Sequence, residues 1–329
     1  MASLKERVLP SFIKDEVALI DESQLRDLDV SCNDHNLIDI LSEGLTYPTR
    51  VQYGLNAHDE DCYTTYRAIY SKAIRDYHKL NDSELPPLTQ TPIVHSSNCT
   101  STEDRGEASH EQSRSLHQIV MDILKESPTK GGKTRVSQMN SFPTRVSVRC
   151  RFARNIRLNT NRGEKVRFCP RMDTEEREGV ESVLVEALQR ASLAIYGSRG
   201  KYFRLEDMKK NKAWTLLLRR FGFADPSETM QAAGLSRCWP HNRGVWPSPG
   251  GKPFAWINEE DHLRLGCIEE NNTLESSLHQ TQALERALVT EGKVQFCWDE
   301  EFGFLTTCLT NVHTGLRASA QVQLPHYFS

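Results

Sequence analysis

From Arg145 to Phe152 the chain alternates with a period of two, placing Arg145, Ser147, Arg149 and Arg151 on one side and Val146, Val148, Cys150 and Phe152 on the other. Side chains of a strand point alternately to opposite faces, so this segment fits a sheet with one covered apolar face and one face lined by arginines. Like charges in such a row repel one another. The arginine face is therefore either a solvated edge or a place where an anion sits. The segment Leu316 to Leu324 repeats the device: Leu316, Ala318, Ala320, Val322 and Leu324 alternate with Arg317, Ser319, Gln321 and Gln323. Arg317 thus heads a second polar face.

Strand patterns begin only at Val146, and all five tryptophans lie after position 210, so the two halves of these 329 residues differ in character. Residues 1–80 read as a small helical domain, with apolar residues at helical spacing in Asn36–Glu43 and Tyr63–Tyr77. Residues 81–144 turn to Ser, Thr, Pro, Glu and His and read as a largely disordered linker, interrupted by one amphipathic helix from Ser115 to Lys125. Within it, Gly131-Gly-Lys133-Thr134 imitates the end of a phosphate-binding loop. Ser127 stands where that loop needs its first glycine, and no strand precedes it.

Residues 145–329 read as α+β. Asp173-Thr-Glu-Glu176 forms a capping box ahead of a stripe of Val180, Val183, Leu184 and Leu188, and a second helix follows 272 with Leu274, Leu278, Leu284 and Leu288. Strands are expected at 146–152, 253–258, 303–308 and 316–324. They mix with helices out of strict alternation, which favours an antiparallel sheet flanked by helices.

A net charge of −3 and a pI of about 6.4 give no global basic field, so neither nucleic acid nor an acidic membrane surface is an expected partner. The N-terminal residues lack an apolar signal core, and no apolar run reaches membrane-spanning length. Nine cysteines, an odd number without CxxC spacing, suit reduced thiols in the cytoplasm better than a disulfide framework or a zinc site.

Two segments carry chemistry. In Asn258-Glu259-Glu260-Asp261-His262-Leu263-Arg264 the acids leave an apolar strand, where they either cap a helix N-terminus or face a cleft. Cys308 follows Gly303-Phe-Leu-Thr-Thr and is either a small buried hydrophobe or, beside Thr310 and arginines, a thiolate. A carboxylate to orient a guanidinium and cations around a migrating phosphoryl group are phosphoryl-transfer parts.

These residues resemble the phosphagen (ATP:guanidino) kinases, which include arginine and creatine kinases. The resemblance covers about 35–80 and 145–325, through Asn258–Arg264, Arg243-Gly-Val-Trp246, Phe302–Cys308 and Thr314–Ser319, with Tyr53–Tyr63 similar to the substrate-specificity loop and the helix after it. It implies a small helical substrate domain, a catalytic α+β domain, and reversible transfer of the γ-phosphoryl of Mg-ATP to a guanidino acceptor. By resemblance, Ser147, Arg149, Arg151, Arg264 and Arg317 bind the nucleotide phosphates, and Glu260, with Glu259 beside it, orients the guanidinium and takes its proton. Cys308 is the reactive cysteine, and Tyr53, Gly54, Leu55, Thr310 and Asn311 belong to the acceptor site. Magnesium is held through ATP, with no protein metal site. The short Gly44–Tyr63 segment favours L-arginine over creatine.

Some positions depart from the family pattern. Leu309 stands where the family has proline and His313 where it has glycine, while Pro247 and Gln321 stand where it has nucleotide-contacting histidines. In the family a further unit with a fifth phosphate-binding arginine and a mobile loop follows the strand carrying Arg317, so an incomplete catalytic domain is expected. The alternatives are an impaired or inactive nucleotide-binding or regulatory protein, as a homodimer or paired with an intact family member, and a protein-arginine kinase, against which the helical domain argues.

Overall fold

The computed structural model describes residues 37–47, 54–78, 146–208, 223, 225–270 and 272–322. Tyr53, Arg145, the 81–144 linker with its expected helix, and the strand end beyond Val322 lie outside the described residues. The helical unit comprises α1 (Leu37–Ile40), α2 (Ser42–Thr46), α3 (Cys62–Thr65) and α4 (Arg67–His78). The helix expected over 63–77 is broken at Tyr66, giving α3 and α4 in its place.

The arginine alternation forms β1 (Val146–Arg154), followed by α5 (Thr174–Tyr196), β2 (Phe203–Arg204), α6 (Leu205–Met208), α7 (Glu228–Ala232), β3 (Gly244–Pro247), β4 (Pro253–Ile257) and β5 (Leu263–Glu270). Then come α8 (Leu274–Thr290), the short strands β6 (Trp298–Asp299) and β7 (Gly303–Phe304), and β8 (Leu316–Val322). The main sheet has the order β2-β3-β4-β5-β1-β8, with every neighbouring pair antiparallel. This is the α+β architecture read from the sequence. The strand expected over 303–308 shrinks to β7, which pairs with β6 and bridges His313; Cys308 instead makes an isolated bridge to Asn56.

Both long helices start where the sequence caps them. Asp173 accepts the Glu176 N–H at 2.9 Å while Glu176 accepts the Asp173 N–H at 2.9 Å, and α8 begins with Thr273 Oγ1 accepting the Ser276 N–H at 3.1 Å. A cap contributes about 1 kcal/mol, whereas burying one leucine contributes roughly 1.5–3 kcal/mol, so the apolar stripes decide where the helices lie. Val180, Leu184 and Leu188 of α5 and Leu284 and Leu288 of α8 share one core with Phe152, Trp246, Ala255, Ile257, Leu263 and Leu265 of the sheet. That face is closed, and the arginine face is the one left over.

Among the described residues the helical unit has no separate core. Leu37, Ile40, Leu55, Tyr63, Tyr66, Tyr70 and Ile74 run directly into Phe168, Phe302, Leu305, Leu309 and Val312 of the larger unit. The Tyr63 hydroxyl donates to the Thr306 carbonyl at 2.6 Å and the Ala57 N–H to the Thr307 carbonyl at 2.7 Å, fastening the helices beside Cys308. Rim pairs such as Glu60 with Arg157 at 2.9 Å and Lys165 at 3.0 Å add little energy but fix orientation. Among the described residues no helix is long and apolar enough to cross a membrane.

Arg154 closes the far end of β1 on the covered face. Its Nε meets Glu285 of α8 at 2.6 Å, its Nη1 donates to the Ala153 and Thr314 carbonyls, and its guanidinium lies 3.5 Å from the Phe304 ring centroid. Gly315, at φ 61°, is required there, because a Cβ would press on Arg154. Glu285→Ala leaves a buried guanidinium uncompensated and is expected to cost about 3–5 kcal/mol in urea unfolding, while the apolar double replacement Arg154→Met/Glu285→Leu recovers much of that loss.

His262 is buried, with Nδ1 accepting the Ile156 N–H at 3.1 Å and Nε2–H donating to the Arg167 carbonyl at 2.9 Å. Burial first, and the Arg177 charge, pull its pKa from 6.5 down to about 4. The unfolded chain then binds more protons than the folded one between those values, so this stability is present above pH 6.5 and lost as pH falls through about 4. Unfolding free energy is expected to drop by roughly 3 kcal/mol across that window from this group. In denaturation as a function of pH, a His262→Gln variant should show a shallower decline.

Candidate active site

Directly opposed residues of antiparallel strands share a face, so the ladder register locates every arginine. Arg151 lies opposite Arg317 of β8 and Gly266 of β5, and Ala153, on the same side of β1, lies opposite Arg264. Arg149, Arg151, Arg264 and Arg317 therefore share the sheet face turned away from α5 and α8. Ser147 is on that face too, opposite Gln321. Trp256, opposite Arg264, and Phe254, opposite Gly266, form its aromatic floor. Arg149 lies 5.1 Å from the Trp256 ring centroid and 5.4 Å from that of Phe254, and Arg151 lies 5.4 Å from that of Trp256. Glycine at 266 makes this possible: a Cβ there would meet Phe254 Cζ at 2.6 Å.

Cations held this close oppose one another. Burial first, then the Arg264 charge, pull the Arg151 guanidinium down to about 10, and burial, Arg264 and Arg317 lower that of Arg149. Arg151 and Arg317 form no ion pair with any described residue. Cross-strand like charges cost energy that a bound anion returns, which favours the anion-site alternative over the solvated edge.

The acidic segment does not start a helix. Asn258–His262 is the turn from β4 to β5, so the helix-capping alternative is excluded. Asn258 adopts φ 56°, and its Nδ2 donates to the Arg177 carbonyl at 3.0 Å and the Asn242 carbonyl at 2.8 Å, fixing the turn to the body. Arg264 then collects the acids: Glu259 at 2.5 Å, Glu260, and Asp261 at 3.1 Å. Although burial lowers the guanidinium pKa, the three carboxylates raise it well above its ordinary value. Asp261 went unassigned in the sequence reading. Its other oxygen accepts the Thr307 N–H at 2.8 Å, tying the arginine to the segment that presents Cys308.

Cys308 is half-buried, with Sγ 3.2 Å from Thr310 Oγ1. The expected thiolate is not what these neighbours favour. Burial first and the Glu260 carboxylate next push the thiol up to about 12, Glu43 adds to this, and hydrogen bonds from Thr310 only partly oppose it. Thr310 and Asn311 lie in the 3-10 turn directly after the thiol. Gly54 is at φ 58° with its carbonyl accepting the Gly44 N–H at 3.2 Å, and Leu55 is buried in the helical core, so its side chain does not line the cleft. His313 takes a left-handed φ of 80°, as the glycine comparison implies it must. The loop nevertheless holds, since its carbonyl still accepts the Phe304 N–H at 2.9 Å. Pro247 ends β3, and Gln321 is exposed on β8.

Residues 179–328 match the family model of the ATP:guanido phosphotransferase C-terminal catalytic domain. Those residues, just under half of the chain, are similar to the catalytic domain of the phosphagen kinases. Among curated phosphagen kinases, the testis creatine kinase of Oncorhynchus mykiss is 32% identical over 188 residues, 55% of this chain and 46% of that protein. The M-type creatine kinase of Oryctolagus cuniculus is 33% identical over 163 residues, 48% of this chain and 42% of that protein. The chain thus spans less than half the length of the curated relatives it matches. Among solved structures, a lombricine kinase matches with TM-score 0.61 and 23% identity over 90% of this chain and 69% of that one. The substrate-free duplicated taurocyamine kinase of Schistosoma mansoni matches with TM-score 0.65 and 20% identity over 94% and 37%. These likenesses extend the phosphagen kinase fold across both units.

Because the Cys308 thiol is protonated well above neutrality, its alkylation by iodoacetamide, followed peptide by peptide in mass spectra, is expected to rise about tenfold per pH unit from 8 to 10 without a plateau. Glu260→Gln removes the nearest opposing charge and should speed the reaction at each pH.

Proposed function

We propose that this protein is an ATP:guanidino phosphotransferase that reversibly moves the γ-phosphoryl of Mg-ATP to a guanidino acceptor, with L-arginine favoured over creatine. The observation that carries the reading is the meeting of the arginine face with Glu260 and Cys308 at Arg264, a cation-lined surface adjoining an acid-lined one. Phosphoryl transfer asks little covalent chemistry of a protein and much alignment and charge neutralisation.

Arg149, Arg151 and Arg317 receive phosphate oxygens, with Ser147 on the same face. Arg264 exchanges Glu260 for phosphate as nucleotide enters, which releases Glu260 toward the acceptor. Glu260 then holds a guanidinium N–H and, as the new N–P bond forms and the bond from the γ-phosphorus to the bridging oxygen breaks, accepts that proton; ADP departs. Glu259 and Asp261 keep Arg264 in place. Cys308, with Thr310 and Asn311 beside it, borders the acceptor. Magnesium, if carried by the nucleotide, would supply further charge neutralisation. Support for L-arginine comes from the short Gly44–Tyr63 segment and from the Phe302–Thr306 and Arg317–Ser319 resemblance. The other reading, a nucleotide-binding regulatory protein, draws on Pro247 and Gln321 where the family has nucleotide-contacting histidines.

The deciding assay is Mg-ATP-dependent phosphorylation of L-arginine, creatine, guanidinoacetate and taurocyamine by the purified chain. Turnover with L-arginine as the best acceptor is expected, and Glu260→Gln should lower kcat by about 10²–10⁴-fold. Turnover unmoved by that substitution, or none by a folded protein, favours the regulatory reading; creatine as the best acceptor overturns the arginine assignment.

A further inference from the structure

Glu43 stands at the acceptor end of the cleft with no part in the chemistry described so far. It belongs to α2, which docks on α7 of the larger unit through the Ser42 hydroxyl donating to the Ala232 carbonyl at 2.9 Å. Its Oε2 accepts the Asn56 side-chain amide at 2.8 Å, and Asn56 is the bridge partner of Cys308. The Asn56 N–H is itself held by the Ile40 carbonyl at 3.0 Å, so the carboxylate is fixed beside the residue pair that presents the thiol. A hydrogen-bond acceptor for Asn56 need not be charged; a glutamine would serve.

The charge has consequences. Burial raises the Glu43 carboxyl, Asn56 and Thr229 pull it down, and the Glu260 carboxylate pushes it up. Glu260 and Glu43 both push the Cys308 thiol up. Glu43 of the helical unit and Cys308 thus border one space with Glu260 of the sheet, whose carboxylate opposes the charge of both, and a cation among them relieves that repulsion. An acceptor with an acid one carbon from its guanidinium, as in guanidinoacetate or creatine, must bring that acid into the same space. In L-arginine the methylene chain carries the acid away.

We propose that Glu43 is a specificity-determining residue of the acceptor pocket, admitting guanidino compounds whose acidic group is spaced well away from the guanidinium and rejecting those in which the two are adjacent. The proposal rests on the guanidino-acceptor reading above and names the class of acceptor that site takes.

The test is isothermal titration of the full chain with L-arginine and with guanidinoacetate in the presence of Mg-ADP, for the wild type, Glu43→Gln, Glu43→Asp and Glu260→Gln. Glu43→Gln is expected to improve guanidinoacetate relative to L-arginine by roughly tenfold or more, since juxtaposed like charges are costly in a partly desolvated site. Glu43→Asp keeps the charge and should stay close to the wild-type ratio. An unchanged ratio in a Glu43→Gln protein that melts like the wild type overturns the proposal and leaves the acceptor reading standing. Should Glu43→Gln not fold, the wild type alone decides: guanidinoacetamide, the neutral analogue, should bind roughly tenfold tighter than guanidinoacetate, and equal binding overturns the proposal. If no guanidino compound binds the wild type, or Glu260→Gln binds them all unchanged, the acceptor reading itself falls and takes this one with it.

Discussion

The site depends on one buried guanidinium. Arg264 emerges from β5 and is held by Glu259, Glu260 and Asp261, all on the turn that feeds the same strand. Burying those carboxylates without a cation would cost several kcal/mol each, and burying the arginine without them would be as unfavourable. The cluster therefore stands or falls as a unit. Through Asp261 it also sets the position of Thr307, and so of Cys308, while Asn258 fixes the turn to α5 and the loop before β3. The carboxylates of the turn, Arg264 and the Cys308 thiol acquire a common reference from a few charge-assisted hydrogen bonds.

The sheet makes that cluster useful by dividing its labour between faces. On one side α5 and α8 bury Phe152, Leu263, Leu265 and Ile257, supplying the apolar burial that holds the fold. On the other side the same strands carry Arg149, Arg151, Arg264 and Arg317, whose mutual repulsion is a charge against stability. A period of two lets a strand do both at once, since a substitution on one face leaves the neighbours on the other where they were. The rigidity supplied by the covered face keeps the arginines close together while no anion is present. That preorganisation is what electrostatic catalysis requires.

How much of this was legible in the sequence follows from which signals are local. β1 was readable because it has one buried and one charged face, β8 because it repeats that alternation in sequence although its described side chains are exposed, and α5 and α8 because a capping residue precedes an apolar stripe. β5 was not, because Leu263 through Cys267 are buried on both sides and show no alternation. β3 was missed as well, being short, and the strand expected over 303–308 mostly lacks a ladder partner. The acids at 259–261 carried two readings in sequence, helix cap or cleft, and only the pairing of β4 with β5 decides between them. The protonation of Cys308 was beyond reach, since it depends on Glu260 and on Glu43, both far from it along the chain. Residue types were legible; the charges that would surround each one were not.

The charges of the assembled cleft are sorted by side rather than mixed. Positive groups lie on the sheet face, and negative ones lie at the turn and, through Glu43, on the helical unit. A mixed surface would satisfy itself by pairing and bind nothing in particular, whereas a sorted one leaves each side wanting an external partner of opposite sign. Arg264 and Glu260 meet on the border and neutralise each other in the meantime. An anion alone takes Arg264 and strands Glu260; a cation alone takes Glu260 and leaves Arg264 short of one of its three carboxylates. The two ligands together leave neither group unpaired, so each lowers the cost of binding the other, and the coupling between them is the free energy of one shared ion pair. The arrangement suits a reaction whose substrates are a polyphosphate and a guanidinium brought face to face.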